Sequence, residues 1–358
     1  MTQGELVVRA SWNGTQVIGI GIESTRPHIV GTLLAGRTAD EAVVIVPRLF
    51  SICGRSQRVA AALACDAAAG QLPDQRVQRE STVTACDEAA HEIVRRMLLD
   101  WPRFAGATPD AAALAEVRCA LASDADALRG IIKERLVGPS HAWAVFDDPL
   151  TAEAWLDARE TLVAKLIARL ARDRAAFAAS DVALLPADGE AVARAVGDSF
   201  ASDPNFEHEP TWLGAPAETG ALARMRSQPF VAAVIARSGR SVLARFIARV
   251  VDLVALTRPD ASASRPVVGA LSVAPGIGIG WVETARGLLV HAAEFAAGAI
   301  KRYRIVAPTE WNFHPSGALA AAIVGTAARS EGELRQLLRV AVESLDPCVA
   351  HRVEVERV

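Results

Sequence analysis

The sequence predicts an α+β fold that is predominantly helical, with small β-sheets near both termini. Three observations carry that expectation. Strand-like runs flank an Asn-Gly pair at the N-terminal end. Alanine, leucine and arginine recur at helical spacing through the long middle. Paired strand-like runs and a well-signalled helix close the C-terminal end.

Taken in order, Leu6-Val7-Val8 and Val17-Ile18-Gly19-Ile20 flank Asn13-Gly14, whose tolerance of positive φ suits a hairpin turn. From Ala39 to about Ala201 the spacing is helical, as in Val94, Met97, Leu98 and Trp101. Within it, charges alternate along Thr151–Ala179, which predicts one long, solvated amphipathic helix. Pro204, Pro210 and Pro216 mark an irregular crossing, and helical spacing resumes over Ala221–Leu256.

The longest uncharged stretch, Pro266 to Val282, holds Pro275, Gly276, Gly278 and Gly280 and reads as a glycine-rich loop, not a membrane span. Such a loop can cradle phosphate, but no strand–loop–helix with a downstream acid follows, so dinucleotide binding is not expected. Leu288–Phe295 and Ala299–Val306 read as strands joined at Ala297-Gly298. In the last helix Ser330 and Glu333 form a capping box, and Leu334, Leu337, Leu338, Ala341 and Val342 form one apolar stripe. Pro347 disfavours helical geometry at Asp346 and delivers Cys348 just past the helix end. With no repeat or low-complexity linker, residues 1–358 are expected to form one domain. It divides into a hairpin and first cysteine motif (1–70), a helical middle (71–260) and a C-terminal loop, hairpin and helix with the second cysteine motif (261–358).

Of 358 residues 51% are apolar and 22% charged, enough to bury a large core. A net charge of −3 points to neither nucleic acid nor an anionic membrane. Met1-Thr2-Gln3-Gly4-Glu5 lacks the pattern of a signal peptide, and five cysteines form no disulfide framework, so reduced thiols in the cytoplasm are expected. Cys65, Cys86 and Cys119 sit in alanine-rich or helical contexts, where cysteine is usually a small buried apolar residue.

Four segments carry more than composition: Ser51-Ile52-Cys53-Gly54-Arg55-Ser56; Glu218-Thr219-Gly220-Ala221-Leu222-Ala223-Arg224-Met225; a long block from Gly278 through Glu283-Thr284-Ala285-Arg286-Gly287-Leu288 and Val306-Ala307-Pro308-Thr309-Glu310-Trp311-Asn312 to Pro315; and Asp346-Pro347-Cys348-Val349-Ala350-His351. In order and spacing they resemble the motifs of nickel-iron hydrogenase large subunits. In that family each cysteine motif is Cys-x-x-Cys, and the four thiolates hold a nickel–iron centre carrying cyanide and carbon monoxide. Here Ser56 and His351 stand where the second, metal-bridging cysteines belong.

Other departures follow. The family's opening Arg-x-Glu-Gly-His segment is matched only from Gly4-Glu5, so its proton-transfer glutamate is expected to be missing. Ala60 replaces the histidine after the first motif, and Glu354 replaces the C-terminal histidine. The chain is short for a large subunit, and with Val358 as its last residue the removable tail of catalytic precursors is not expected. The pattern is similar to the HupK/HoxV type of hydrogenase expression/formation protein, degenerate copies of the large subunit.

That resemblance implies a non-enzyme: a scaffold or chaperone that transiently holds the Fe(CN)2CO group, without nickel, for delivery to the large subunit. Its implied partners are an iron-loading complex of the HypC/HypD type and the hydrogenase large subunit. The alternatives are a divergent hydrogenase-like oxidoreductase with an altered metal site and a metal-free structural decoy. Cys53 and Cys348 are the implied metal ligands; two soft thiolates suit an iron whose other positions are filled by strong-field ligands. Arg286 and Thr309 are implied donors toward cyanide, with Pro308 as pocket wall. Asp346 reads equally as a residue that orients a ligand or as a backbone cap. His351 reads as an iron ligand, a proton carrier or a surface histidine, and Ser56 as a hydrogen-bonding group. Cys53 is expected at the start of a helix from about Ser56 to Ala69, whose dipole, with Arg55 and Arg58, would favour the thiolate.

Overall fold

The computed structural model describes residues 4–25, 29–50, 52–104, 106–123, 130–138, 144–256 and 267–358; Ser51, Pro266 and the Cys119 side chain lie outside the described residues. The chain opens with strands β1 (Glu5–Trp12) and β2 (Val17–Ser24), an antiparallel hairpin. Asn13 Oδ1 accepts the backbone N–H groups of Thr15 and Gln16 at 3.0 and 2.9 Å, and Gly14 takes φ 93°, the turn expected from Asn-Gly.

Helices α1 (Val30–Leu34) and α2 (Ala39–Ile45) lead to α3 (Gly54–Ala68). Next, α4 (Gln75–Arg95) runs through a π segment (Arg96–Asp100) into α5 (Trp101–Phe104). Helices α6 (Ala111–Ser123), α7 (Pro149–Ala158) and α8 (Leu162–Leu170) follow.

The single helix expected over Thr151–Ala179 is therefore two, with a 3-10 turn after them. Arg159 is left-handed (φ 53°), and Thr161 restarts the helix by accepting the Ala164 N–H at 3.2 Å. Nor is α8 solvated: Val163, Ala164, Leu166, Ile167 and Leu170 form a buried stripe that the charge alternation obscured.

Short strands β3 (Ala179–Ser180) and β4 (Ala183–Leu184) precede α9 (Gly189–Ser202). After the proline-marked crossing come β5 (Ala217–Glu218), α10 (Ala221–Met225), α11 (Pro229–Ser238), β6 (Arg240–Ser241) and α12 (Val242–Leu256).

The expected glycine-rich loop is instead a hairpin. Strands β7 (Val268–Ala274), β8 (Ile277–Thr284), β9 (Gly287–Ala296) and β10 (Ala299–Val306) form one antiparallel sheet in the order β10-β9-β8-β7. Ala297 and Gly298 turn between β9 and β10 with φ 52° and 80°, as expected.

The glycines of β8 serve packing, not ligand binding. A Cβ on Gly278 would lie 2.2 Å from both the Ala64 carbonyl oxygen and the Ala68 nitrogen, and one on Gly280 would lie 2.5 Å from the Ala60 carbonyl oxygen. Glycine on the strand and alanine on the helix let α3 lie directly on β8. On the opposite face Ile279 and Trp281 pack with Val192, Ala193 and Val196 of α9.

The chain closes with α13 (Pro308–Asn312), α14 (Ala318–Ile323), α15 (Glu331–Leu345) and β11 (Ala350–Arg357). Ser330 Oγ accepts the Glu333 N–H at 3.2 Å, while the Glu333 carboxylate takes the Arg329 N–H at 2.7 Å. Strand β11 pairs in parallel with β1, giving a second sheet ordered β11-β1-β2. One apolar cluster runs from Leu6 and Val8 on β1 through Trp101 and Phe246 to Leu338 and Leu345 on α15. The architecture is the expected α+β fold: mostly helical, with sheets near both chain ends. No helix among the described residues is long and apolar enough to cross a membrane.

The α3–β8 contact gives a direct stability test. Gly278→Ala forces a Cβ into helix backbone that cannot yield, and is expected to cost about 1–3 kcal/mol or more in urea unfolding. Gly332→Ala, in the first turn of α15 with its nearest neighbour 3.9 Å away, is expected to stabilise by roughly 0.5–1 kcal/mol.

Candidate cysteine site

Cys53 is the N-cap of α3, and Gln57 Nε2 donates to its sulfur at 3.6 Å. The helix begins there because Gly54 lies against Pro47, whose carbonyl oxygen would be 3.0 Å from any Cβ. Glu88, from α4, accepts the N–H groups of Arg55 and Ser56 at 2.8 Å each and a short hydrogen bond from Ser56 Oγ. Ser56 is thus a hydrogen-bonding group, tied to Glu88.

The same contacts overturn the expected thiolate. A carboxylate already occupies the positive end of the α3 dipole, and Arg55 and Arg58 are exposed. Burial pushes the Cys53 thiol up to about 12 and nearby Cys348 adds to the rise; Arg286 and Gln57 oppose it without prevailing. Cys65 and Cys86 pack in or against apolar clusters, as expected of small apolar residues.

Cys348 follows α15 after a two-residue break. Thr309 Oγ1 donates to its sulfur at 3.1 Å, from buried α13, where Pro308 fills the first turn. Asn312, on the same helix, accepts the Thr219 N–H at 2.9 Å and donates to the Arg286 carbonyl at 3.4 Å. Gly220 (φ 108°) and Gly287 (φ 131°) allow the two motif segments to interlock: a Cβ on Gly220 would stand 2.8 Å from the Arg286 carbonyl oxygen.

Arg286 is buried, and its charge acts on both cysteines. Its Nη2 lies 3.3 Å from Glu92 and 3.6 Å from Asp346, while its buried Nε has no hydrogen-bond partner. Burial works against its charge, but Asp346, Glu92 and the two sulfurs hold its basicity above the ordinary value.

Asp346 adopts a left-handed conformation (φ 55°) at the end of α15. Its buried carboxylate meets Arg96 Nε at 2.7 Å, Arg286 at 3.6 Å and Arg249 at 3.9 Å. Burial alone would raise its pKa; Arg286, Arg96 and Arg249 instead hold it far below the usual carboxylate range. Its carboxylate oxygens face these arginines and accept no backbone hydrogen bond. The backbone is capped by the arginines: Arg96 donates to the Pro347 carbonyl at 2.8 Å and Arg249 to the Ser344 carbonyl at 3.2 Å.

His351 faces elsewhere. It sits on β11 with Nε2 3.7 Å from Glu343 and lines a cleft of about 410 Å³ with Asp100, Arg103, Arg339 and Arg352. Burial and then Arg96 lower its pKa. Among the described residues no three His, Cys, Asp or Glu side chains are grouped to hold one metal ion, so Cys53, Cys348 and His351 do not form a three-ligand set. The structure thus gathers Cys53, Cys348, Arg286, Pro308, Thr309 and Asp346, while Ser56 turns to Glu88 and His351 to Glu343.

Sequence reasoning missed Glu88, Glu92, Arg96 and Arg249. A signal existed for Arg249: Arg245, Arg249 and Asp252 share one side of the otherwise apolar helix α12, the mark of buried ion pairing. Arg245 forms a two-pronged pair with Glu218 at 2.8 Å per bond, and Asp252 takes Arg224 at 2.6 Å.

Three outcomes test the site's electrostatics. With the Cys53 pKa raised, folded and unfolded thiols are both protonated below the ordinary value of 9.0, and between there and about 12 only the unfolded one ionises. Stability is therefore lost as pH rises through that window, and Cys53→Ser is expected to flatten the loss. Iodoacetamide at pH 8 is expected to modify Cys53 more than about tenfold slower than a solvent-exposed thiol, as read by mass spectrometry. Asp346→Asn, which leaves buried arginines uncompensated, is expected to cost about 3–5 kcal/mol in chemical unfolding.

Residues 174–354 match the family described as nickel-dependent hydrogenase. The chain is 31% identical to the hydrogenase expression/formation protein HoxV of Cupriavidus necator, over 93% of this chain and 92% of that protein. It is 32% identical to HupK of Rhizobium leguminosarum bv. viciae, likewise a hydrogenase expression/formation protein, over 94% of this chain and 92% of the relative. In fold it is similar to the reduced, active Ni-Fe-Se hydrogenase of Desulfomicrobium baculatum, with a TM-score of 0.59 at 14% identity, covering 95% of each chain. Built on the large-subunit fold and aligned along nearly its whole length with HoxV and HupK, the chain belongs to the hydrogenase expression/formation proteins of the nickel-dependent hydrogenase family.

Proposed function

We propose that this chain is a non-catalytic scaffold of nickel-iron hydrogenase maturation in the cytoplasm, holding an Fe(CN)2CO group transiently between Cys53 and Cys348 before delivery to the large subunit. One observation carries the reading: two thiols from opposite ends of the chain meet beside a buried arginine that has a spare donor, while Ser56 and His351 are engaged by Glu88 and Glu343. Two thiolates can complete the sphere of an iron that already carries cyanide and carbonyl ligands, but they leave nickel half-coordinated. Arg286 and Thr309 supply N–H and O–H donors of the kind a buried cyanide nitrogen accepts.

A raised thiol pKa also suits a carrier. Binding must displace a proton from Cys53, so the hold is weakened by the cost of ionising a half-buried, desolvated thiol, and reprotonation favours release. Partners in this reading are an iron-loading complex of the HypC/HypD type, which donates the group, and the large subunit, which receives it.

A second reading draws on the same burial. If ionising Cys53 costs too much, the chain acts as a metal-free mimic of the large subunit that engages maturation partners through shape.

Infrared spectroscopy and metal analysis of protein co-produced anaerobically with a complete maturation system separate these readings. Cyanide and carbonyl bands with iron and no nickel, lost in Cys53→Ala and Cys348→Ala, are the expected result. Bare protein that still captures the maturation partners would favour the mimic. Stoichiometric nickel with hydrogen-dependent dye reduction would overturn both.

A further inference from the structure

We infer that the outer edge of β11 and the cleft beside it form a docking site for an extended, acidic segment of a partner protein, added to the sheet as a further strand and held by Arg103 and Arg339. Such a site is independent of anything the two cysteines hold.

The backbone supplies the first observation. Strand β11 is the terminal strand of its sheet, with an unbroken register against β1 and no proline. In a parallel pair, alternate residues bond to the neighbouring strand. The Val358 N–H reaches the Trp12 carbonyl at 3.1 Å, so even-numbered positions turn to β1. His351, Val353 and Val355 therefore present their N–H and C=O groups on the other side. Of these groups only the Val353 carbonyl has a partner among the described residues, Arg335 at 3.1 Å. An open edge is a template for another strand unless a bulge, a proline or a covering segment closes it, and none of these does so among the described residues. The edge borders the cleft of about 410 Å³ instead, lined by His351, Arg352 and Val353 of the strand, by Arg339 of α15 and by Arg103 of α5. That volume is in the range of ligand-binding clefts.

Charge is the second observation, and it sets the chemistry of the segment. Asp100 and Glu343, the carboxylates of the cleft, are engaged from its buried side. Asp100 meets Arg95 and Arg96 at 3.2 and 3.0 Å, and Glu343 meets Arg96 at 3.3 Å. With Glu92 and Asp346 they balance Arg95, Arg96, Arg249 and Arg286. Arg9 and Arg352 are met by Glu5, Glu23 and Glu354 on the outer face of the sheet. Two arginines of the cleft are left over. Arg103 has only a 3.4 Å contact with the already shared Asp100, and Arg339 has no ion pair or hydrogen bond among the described residues. Both are exposed and stand on different helices beside the same strand edge. A second copy of this chain fits poorly, because pairing two β11 edges about a two-fold axis would set these arginines against themselves. A segment with carboxylates at alternate positions answers the backbone edge and both arginines together.

Fluorescence anisotropy on the full-length protein tests the site, with a labelled peptide of alternating valine and glutamate as long as β11, eight residues. Three controls accompany it: the same peptide with lysine for glutamate, and two versions N-methylated on one or the other set of alternate residues. The acidic peptide is expected to bind saturably. Binding is expected to weaken about tenfold or more with the lysine peptide, with one of the two N-methylated peptides, and in the Arg103→Glu, Arg339→Glu double variant. Hydrogen exchange at the amides of His351, Val353 and Val355 is expected to slow in the complex. No binding of the acidic peptide at millimolar concentration overturns the inference, as does unchanged binding to the folded double variant. Equal binding of both N-methylated peptides overturns it as well, since charge attraction would then act without an added strand. A stable dimer of the protein alone, with those amides already protected, would give the edge to a second copy and overturn it too. The peptide and exchange measurements need only the wild-type chain, so they decide even if the double variant does not fold.

Discussion

A carboxylate with no access to water sets the terms for this molecule. Asp346 lies where α15 ends and the second cysteine motif begins, and its charge survives burial only because arginines from three other parts of the chain surround it. Arg96 comes from the π segment after α4, Arg249 from α12 and Arg286 from the β8–β9 turn. None of these elements can move without exposing or orphaning a charge. Removal of one partner leaves the others buried and uncompensated, so the penalty falls on the whole cluster and not on one contact. The cluster also caps the C-terminal carbonyls of α15, so the loop bearing Cys348 is fixed in backbone as well as side chain.

The other half of the site is mounted by shape. Helix α3 reaches β8 because Gly278 and Gly280 present bare backbone to Ala60, Ala64 and Ala68. That close approach sets the height of the helix over the sheet and thereby the place of its N-cap, Cys53. The β8–β9 turn, which carries Arg286, leaves the same sheet, so the arginine and the first cysteine share a rigid base. Parallel pairing of β11 with β1 then ties the second motif to the beginning of the chain. Two thiols distant in sequence meet through one apolar and one ionic device.

Much of this was legible before any coordinates. The hairpins, the capped last helix and the cysteine motifs are local signals: turn dipeptides, N-cap serine and Pro347 act on their near neighbours. What misled was also local. The glycines of Pro266–Val282 read as a loop because nothing in the sequence shows that a helix distant along the chain will press on them. Charge alternation hid the apolar stripe of α8. The helix dipole and two arginines near Cys53 predicted a thiolate, but the deciding groups, Glu88 and the burial around the sulfur, come from tertiary packing. Glu92 and Arg96 were illegible for the same reason: a charged residue in a helix looks solvated until its partner is found.

At the two positions where the resemblance places second cysteines, the side chains are engaged by carboxylates. A bridging thiolate would carry negative charge into a pocket whose sulfur is already costly to ionise. At Ser56 the chain offers a neutral donor, and the negative charge moves back to Glu88, where it stabilises the start of α3. At His351 the side chain turns outward to Glu343, which in turn touches Arg96 at 3.3 Å. A line of polar contacts, Asp346–Arg96–Glu343–His351, thus leads from the buried site to the solvent cleft. Both substitutions remove anionic charge from the pocket and spend the remaining carboxylates on holding helices and arginines in place. What is left beside the two sulfurs is a set of arginines, Arg95, Arg96, Arg249 and Arg286, matched by the carboxylates of Glu92, Asp100, Glu343 and Asp346.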